Sequence, residues 1–194
     1  MLLVAAPAAV DDVVASLRQD ALYVSSDSSL TPDGDAVREA LAQTSVPTYV
    51  AVVPQEQVDA AELGIDGLML QIVDGLADPK AVVYVVSDGG ELQAGEGGAS
   101  GVDAGGILDR VLAERIDEPF DATSVTGALV DIARLVDADA DAEPGSTRRT
   151  VGLVGLVATV AIGGGGLLYT RAQRRLRASA PLTDERGPDD AGWH

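Results

Sequence analysis

The chain has 194 residues, a formal net charge of −18, no cysteine and one histidine, which is its last residue. Without cysteine it has no disulfide, no thiolate nucleophile and no thiolate metal ligand, and its lone terminal histidine excludes Ser-His and Cys-His catalysis. Residues 1–147 hold 27 acidic and six basic side chains. So acidic a segment repels phosphate backbones, which argues against nucleic acid as a partner.

The first ten residues leave two interpretations open. Residues 2–10 read LLVAAPAAV, an apolar run with an Ala-Pro-Ala phrase that is typical of the end of a signal peptide, although the usual basic residues do not precede it. Residues 1–10 are therefore either a truncated signal-peptide remnant, with the true start upstream of Met1, or the ordinary N-terminus of a domain that stays inside the cell.

The next segment predicts a helix, a strand and a second helix. Apolar side chains at helical spacing predict a helix over residues 11–19, and residues 22–24 predict a short strand. The polar residues 25–29 then form a loop. In the phrase 30–33 (LTPD) we expect Thr31 to cap a helix that begins with Pro32 and runs to about residue 42.

Two runs rich in β-branched residues predict the centre of a sheet. Residues 48–53 (TYVAVV) and 81–86 (AVVYVV) are apolar without alternation, which is typical of parallel strands covered on both faces. A helix between them completes a right-handed βαβ unit. Residues 91–94 follow a turn and predict the hairpin partner of the second strand. The helix between the two runs is indicated by apolar side chains that recur at helical spacing: Ala61, Ile65, Leu68, Ile72 and Leu76.

Two further apolar stripes predict helices over residues 104–115 and 122–136, and an acidic linker, 137–150, follows. The expected fold class is therefore α/β: a small mixed sheet with helices on both faces, formed by residues 11–136. About 130 residues is the usual size of one domain.

The C-terminal part predicts a single transmembrane helix. Residues 151–170 (VGLVGLVATVAIGGGGLLYT) carry no charge, and twenty helical residues span about 30 Å, the thickness of a hydrocarbon core. Small side chains at Gly155, Thr159 and Gly163 form a stripe where a second copy of the helix could pack, although low-complexity sequence explains the same pattern.

Charges beside the span predict its orientation. Arg171, Arg174, Arg175 and Arg177 follow it closely, and positive charge usually stays in the cytoplasm. We therefore expect a cytoplasmic tail over residues 171–194, basic and then disordered, and an acidic domain outside the cell membrane. The alternative is a cytoplasmic domain with a C-terminal membrane anchor.

The order of the predicted elements resembles the TPM domain, an extracytoplasmic α/β module shared by thylakoid photosystem-repair proteins and many bacterial membrane proteins. Actinobacterial membrane proteins with a phrase similar to residues 17–24 resemble the chain more closely. The resemblance implies a membrane-tethered module that takes part in the assembly or maintenance of other membrane complexes. Phosphatase activity and calcium binding have been assigned to some members of the family. The matching phrases are 30–33 (LTPD), 49–53 (YVAVV), 82–88 (VVYVVSD), 92–97 (LQAGEG) and 104–108 (AGGIL).

Acidic residues beside the predicted strands are the candidate metal ligands. Asp33, Asp88 and Glu96, together with Asp27 and Asp35, could converge where open α/β sheets bind ligands, and hold a weak divalent cation such as calcium. No other cofactor is expected. The glycine-rich stretch 95–101 lacks the lysine of a phosphate loop and is interpreted as a flexible exit from the hairpin.

We therefore expect a binding or assembly module of the cell envelope, without catalysis, whose partners are the lipid bilayer and another envelope or membrane protein. The alternative function is a metal-dependent phosphoester hydrolase outside the membrane.

Overall fold

The protein is built around a four-stranded sheet, seen in a computed structural model that describes residues 10–140. The strands are ordered β1-β2-β3-β4 across the sheet; β1, β2 and β3 are parallel, and β4 runs antiparallel to β3. The predicted mixed α/β sheet is therefore confirmed. The strands are β1 (Leu22–Val24), β2 (Thr48–Val53), β3 (Val82–Ser87) and β4 (Leu92–Glu96).

Helices cover both faces of this sheet within the described residues. Helices α1, α3 and α4 pack on one face, and α2, α5 and α6 pack on the other. The helices are α1 (Val10–Leu17), α2 (Gly34–Leu41), α3 (Gln55–Ala60), α4 (Gly64–Leu76), α5 (Ala104–Glu114) and α6 (Ala122–Ala140).

The central strands are apolar along their length because neither of their faces meets water. Every residue of β3 is buried. Alternate side chains enter opposite cores: Tyr84 packs with α5 and α6, whereas Val83 and Val85 pack with α4. This arrangement confirms the prediction of doubly covered central strands, and it explains why these strands lack the alternation of a half-exposed strand.

The two crossovers between parallel strands have opposite hands. Both step in the same direction across the sheet, from β1 to β2 and from β2 to β3. Helix α2 covers one face, however, and α4 covers the other. Two right-handed crossovers in one direction would place both helices on the same face, so only one of the two follows the usual right-handed rule.

Helix α2 begins later than predicted, because Asp33 rather than Thr31 is its cap. The Asp33 carboxylate accepts hydrogen bonds from the backbone N–H groups of Asp35 and Ala36, at 3.1 and 3.2 Å. Aspartate caps helices at least as well as threonine, and here its own N–H is fixed by the Thr126 hydroxyl at 2.9 Å. Pro32 therefore lies before the helix and is buried.

Helix α6 continues to Ala140, four residues into the segment predicted as a linker. Its last turn is held against the domain, because Asp137 accepts a hydrogen bond from the Ser45 N–H and Asp139 accepts one from the Asp103 N–H, both at 3.0 Å. The crossover helix predicted from Ala61 to Leu76 is α4, which begins at Gly64, where φ is +64°, and a short helix that was not predicted, α3, precedes it.

The predicted membrane segment lies outside the described residues. Among residues 10–140, no helix combines the length and the apolar composition needed to cross a bilayer. The span 151–170, with its stripe of Gly155, Thr159 and Gly163, the tail 171–194 and nearly all of the N-terminal segment 1–10 therefore stay predictions.

The loops of the domain gather at two opposite ends of the sheet. Helix α6 starts at one end, where Thr126 contacts Asp33, and finishes at the other, where Asp137 contacts Ser45. We call the end where α6 finishes the exit end; its segments are 18–21, 42–47, 77–81 and 97–103. The opposite, far end comprises segments 25–33, 54–63, 88–91 and 115–121.

Alanine substitution of two adjacent glycines, Gly97 and Gly98, tests the packing at the exit end. A Cβ atom on Gly97 would lie 2.4 Å from the backbone oxygen of Pro79, whereas one on Gly98 would meet nothing within 4 Å. We expect Gly97→Ala to lower the free energy of unfolding by about 1–3 kcal/mol, since backbone must move. Gly98→Ala, the matched control, should change it by less than about 0.5 kcal/mol. Urea unfolding followed by circular dichroism measures both, and equal effects would contradict this packing.

Candidate functional site

The far end holds the carboxyl ends of the three parallel strands, where open α/β sheets commonly bind ligands. Ser25 follows β1, Gln55 lies just beyond β2, and Asp88 follows β3. These three loops are short and close together, so their polar side chains form one connected group.

Asp88 is the centre of this group. Its Oδ2 atom accepts hydrogen bonds from the Ser29 N–H at 2.8 Å and from the Ser29 hydroxyl at 3.0 Å, and its Oδ1 atom accepts one from the Gln55 N–H at 2.7 Å. Its own N–H donates to the Val53 carbonyl at 3.1 Å. One carboxylate thus ties the loops after β1 and β2 to the loop after β3.

These hydrogen bonds favour the ionised carboxylate. Partial burial by itself would raise the pKa of Asp88, but the donors on Ser29 and Gln55 outweigh it and leave the pKa below its usual value. Asp88 is therefore ionised at neutral pH and acts as an acceptor for these loops, not as a proton donor.

Gln55 extends the network towards the hairpin. Its side-chain N–H₂ donates to Asp59 at 3.0 Å and to Glu91 at 3.3 Å. Its side-chain oxygen accepts a hydrogen bond from the Ser87 hydroxyl, which itself accepts one from the Gly89 N–H at 2.9 Å. These contacts and those of Asp88 join the far-end loops to one another. We call this hydrogen-bonded group of Ser29, Gln55, Ser87 and Asp88 the clasp.

The three candidate metal ligands are not brought together. Glu96 pairs with Val82 at the start of β3, whereas Asp88 follows the end of β3. Six strand residues separate these positions, about 20 Å. Asp33 caps α2. The expected convergence of Glu96 with the other two is therefore wrong, because an antiparallel strand carries it to the exit end.

No group of three Asp, Glu or His side chains within residues 10–140 is arranged to hold a metal ion. Cation binding by Asp33 or Asp88 stays a prediction.

Glu96 belongs to a second acidic group, at the start of α5. It accepts a hydrogen bond from the Ala104 N–H at 2.8 Å, and Asp103 accepts one from the Gly106 N–H at 2.9 Å as the helix cap. The nearby Tyr84 is almost fully buried; burial raises its pKa far above the usual value, and the charges of Glu96, Asp103 and Asp139 raise it further. Tyr84 therefore stays protonated and cannot act as a base at neutral pH.

Charge is distributed unequally between the two ends. The far-end segments contain ten carboxylates and one arginine, whereas the exit end contains six carboxylates, counting Glu96, Asp137 and Asp139 with its segments, and two basic residues. The arginine, Arg115, is itself engaged by Asp131 at 2.5 Å and Glu118 at 2.7 Å. The Asp131 contact is the main reason that the pKa of Arg115 is raised. The far end thus presents a strongly negative surface.

Large exposed apolar side chains lie at the same end. Leu63 and Ile116 are 66% and 67% exposed, and both belong to far-end segments. A third such side chain, Leu70, lies on the outer side of α4. The loop that contains Ile116 also contributes to a small depression, which we call the corner depression; Arg115 and Glu118 line it together with the apolar side chains of Leu92, Leu112, Phe120, Val125 and Ala128.

A larger cleft lies between α2 and α6, with a volume of about 380 Å³. Three of its lining residues are alanines, Ala36, Ala40 and Ala133, and Arg134 also lines it. Glu39 and Asp137 stand at its rim, and the Asp137 carboxylate is already bonded to Ser45. The cleft therefore carries charges of both signs, and one of its carboxylates is already hydrogen-bonded within the fold.

Comparison with known proteins does not identify the chain. It matches no protein-family model, no curated protein and no solved structure. The TPM resemblance stays a prediction.

Sequence reasoning missed several far-end residues. Gln55, Ser87 and Ile116 were not among the candidates, because no local motif marks them. The available signal was positional: each of the first two stands where a predicted parallel strand ends, and polar side chains at such positions meet at one edge of the sheet.

Replacing Asp88 by asparagine tests the clasp. At pH 7 we expect Asp88→Asn to lower the free energy of unfolding by about 1–3 kcal/mol, because an amide N–H₂ replaces an oxygen that faces N–H donors. The pKa of Asp88 is lowered by folding, so its contribution is present above pH 3.8 and is lost as pH falls through the folded value. Urea unfolding at pH 7 and pH 3 should therefore show a smaller deficit at pH 3.

Asp66→Asn is the control of opposite sign. Burial raises the pKa of Asp66, partly offset by a hydrogen bond from Gln93 that an asparagine oxygen can also accept. A raised carboxyl pKa lowers stability as pH rises above the unfolded value, so Asp66→Asn should stabilise the protein at pH 7 and do so less at pH 3. A deficit for Asp88→Asn that is the same at both pH values would contradict the clasp.

Proposed function

We propose that this protein is a membrane-anchored extracytoplasmic module of the cell envelope, similar to TPM domains, which binds another envelope protein through its far end and performs no catalysis. The proposal joins two sets of observations. The sequence supports the anchor and its orientation, and the distribution of loops, charge and apolar side chains supports the binding end.

Support for the anchor comes from residues 151–170, which carry no charge, and from the arginines on both sides of this segment. Four arginines follow it within seven residues, and Arg148 and Arg149 precede it after an acidic run. This asymmetry favours a cytoplasmic C-terminus and an external domain. An external module without cysteine needs no disulfide to fold, because its core is already buried on both faces of the sheet.

The point where the chain leaves the domain carries the proposal. The described fold ends at Ala140, at the exit end, and ten residues separate it from Val151. Ten residues reach at most about 35 Å, so an anchor at residue 151 keeps the exit end near the bilayer. Helix α6 has 19 residues and a length of about 28 Å, and this length separates the far end from the exit end, where the described residues stop.

Electrostatics supports the same orientation. Anionic lipid headgroups repel the far end, with its ten carboxylates and one arginine, within a Debye length of about 8 Å. The exit end, where Glu96, Asp137 and Asp139 add to the charges of its segments, holds six carboxylates and two basic residues and is repelled less. The acidic and partly apolar far end therefore faces away from the lipid, where it is free to bind a protein.

Single-cysteine labelling tests the topology, since the natural chain has no cysteine. In intact cells a membrane-impermeant maleimide should label Leu63→Cys, which replaces an exposed side chain. It should label Ser179→Cys, in the predicted tail, only after the membrane is opened.

The chain ending at residue 147 is the control for anchoring, and it should leave the membrane pellet. Labelling of Ser179→Cys alone in intact cells would place the domain in the cytoplasm and overturn the proposed location. Full-length chain in the aqueous fraction without detergent would overturn the anchor.

A further inference from the structure

The corner between α5 and α6 combines apolar surface with negative charge. Leu92 and Leu112 form the base of the corner depression, and Phe120, the chain's one phenylalanine, lines it. Ile116 lies four residues before Phe120 in the same loop and is 67% exposed. Exposed aliphatic area next to an apolar depression is a common feature of protein-binding surfaces.

Carboxylates lie in the same chain segments as this apolar surface. Asp117, Glu118 and Asp121 lie in the same loop as Ile116, and Glu91 precedes Leu92. The nearby Arg115 pairs with Glu118 and Asp131, so the charge of Glu118 is offset, whereas Asp117 and Asp121 are exposed. The rim of the depression therefore favours cations and disfavours other anions.

This combination of apolar surface and negative charge favours one class of binding partner. Anionic lipid headgroups and nucleic acids bring negative charge and are repelled by the rim. A purely apolar segment would leave the carboxylates without a partner. An apolar side chain flanked by arginine or lysine satisfies both parts of the surface, as the apolar group covers Ile116 while the cations face the rim.

We propose that the corner depression and Ile116 bind a segment of a partner protein in which an apolar anchor residue is flanked by arginine or lysine. This inference rests on the proposed function and names the chemistry of the partner. The anchor side chain packs against Ile116 and Phe120. The flanking cations meet the carboxylates of Asp117 and its neighbours, and this part of the attraction weakens as salt is added.

Peptide binding to the full chain in nanodiscs of zwitterionic lipid tests the proposal. The probe is a fluorescein-labelled nine-residue peptide with a central leucine and two arginines on each side, measured by fluorescence anisotropy against empty nanodiscs. A central serine should weaken binding about tenfold, because the apolar contact is lost. Glutamates in place of the arginines should abolish binding, and 500 mM salt should weaken it at least severalfold.

Variants of the chain locate the site. Ile116→Ser should weaken binding about fivefold, and Asp117→Asn, which removes one exposed charge, about threefold. Leu70→Ser and Asp74→Asn are the matched controls, since both replace exposed residues of α4, and they should stay within about twofold. Because all four side chains are exposed, unchanged thermal midpoints are expected and show that the fold is kept.

Equal binding of the leucine and serine peptides, no binding of either, or Ile116→Ser binding like the natural chain would each overturn the inference. These outcomes are distinct from a failure of the proposed function. If Leu63→Cys is labelled in intact cells but the peptide does not bind, only the inferred partner chemistry is wrong. If the domain is labelled only in opened cells, the proposed envelope location is wrong.

Discussion

The burial of β2 and β3 on both faces is the constraint on which the rest of the structure depends. Because neither face of these strands meets water, their side chains are apolar apart from Thr48 and Ser87 at the strand ends, and helices must cover both sides. Polar side chains then cluster where strands and helices end. The fold thus separates an apolar centre from two polar ends, and any recognition through loops occurs at one of those ends.

The two ends use their carboxylates differently from one another. At the far end Asp88 accepts hydrogen bonds from two other loops and holds them in place, and most of its neighbours remain exposed. At the exit end Glu96, Asp103 and Asp139 accept backbone N–H bonds that fix the start of α5 and the end of α6. The carboxylates of the exit end are therefore used mainly in hydrogen bonds within the fold. The far end keeps exposed charge and exposed apolar side chains available to a partner.

Sequence patterns predicted the core well because burial acts on local composition. The apolar, β-branched runs at 48–53 and 81–86 were recognisable as strands because they are buried on both faces, and they correspond to β2 and β3. Long-range contacts were not predictable in the same way. Asp88 binds residues 59 and 33 positions away, and no spacing reveals such partners. The choice of Asp33 over Thr31 depends on Thr126, on another helix. The position of Glu96, in contrast, follows from the predicted hairpin, since an antiparallel strand returns to the end where its partner began.

Site-specific photocrosslinking in intact cells tests most directly the claim that the far end is the binding end. Benzoylphenylalanine is placed at Ile116 in one variant and at Ala99, an exposed exit-end residue, in another. The account predicts a discrete protein adduct from Ile116, identifiable by mass spectrometry, and no such adduct from Ala99. A protein adduct from Ala99 with none from Ile116 would contradict it.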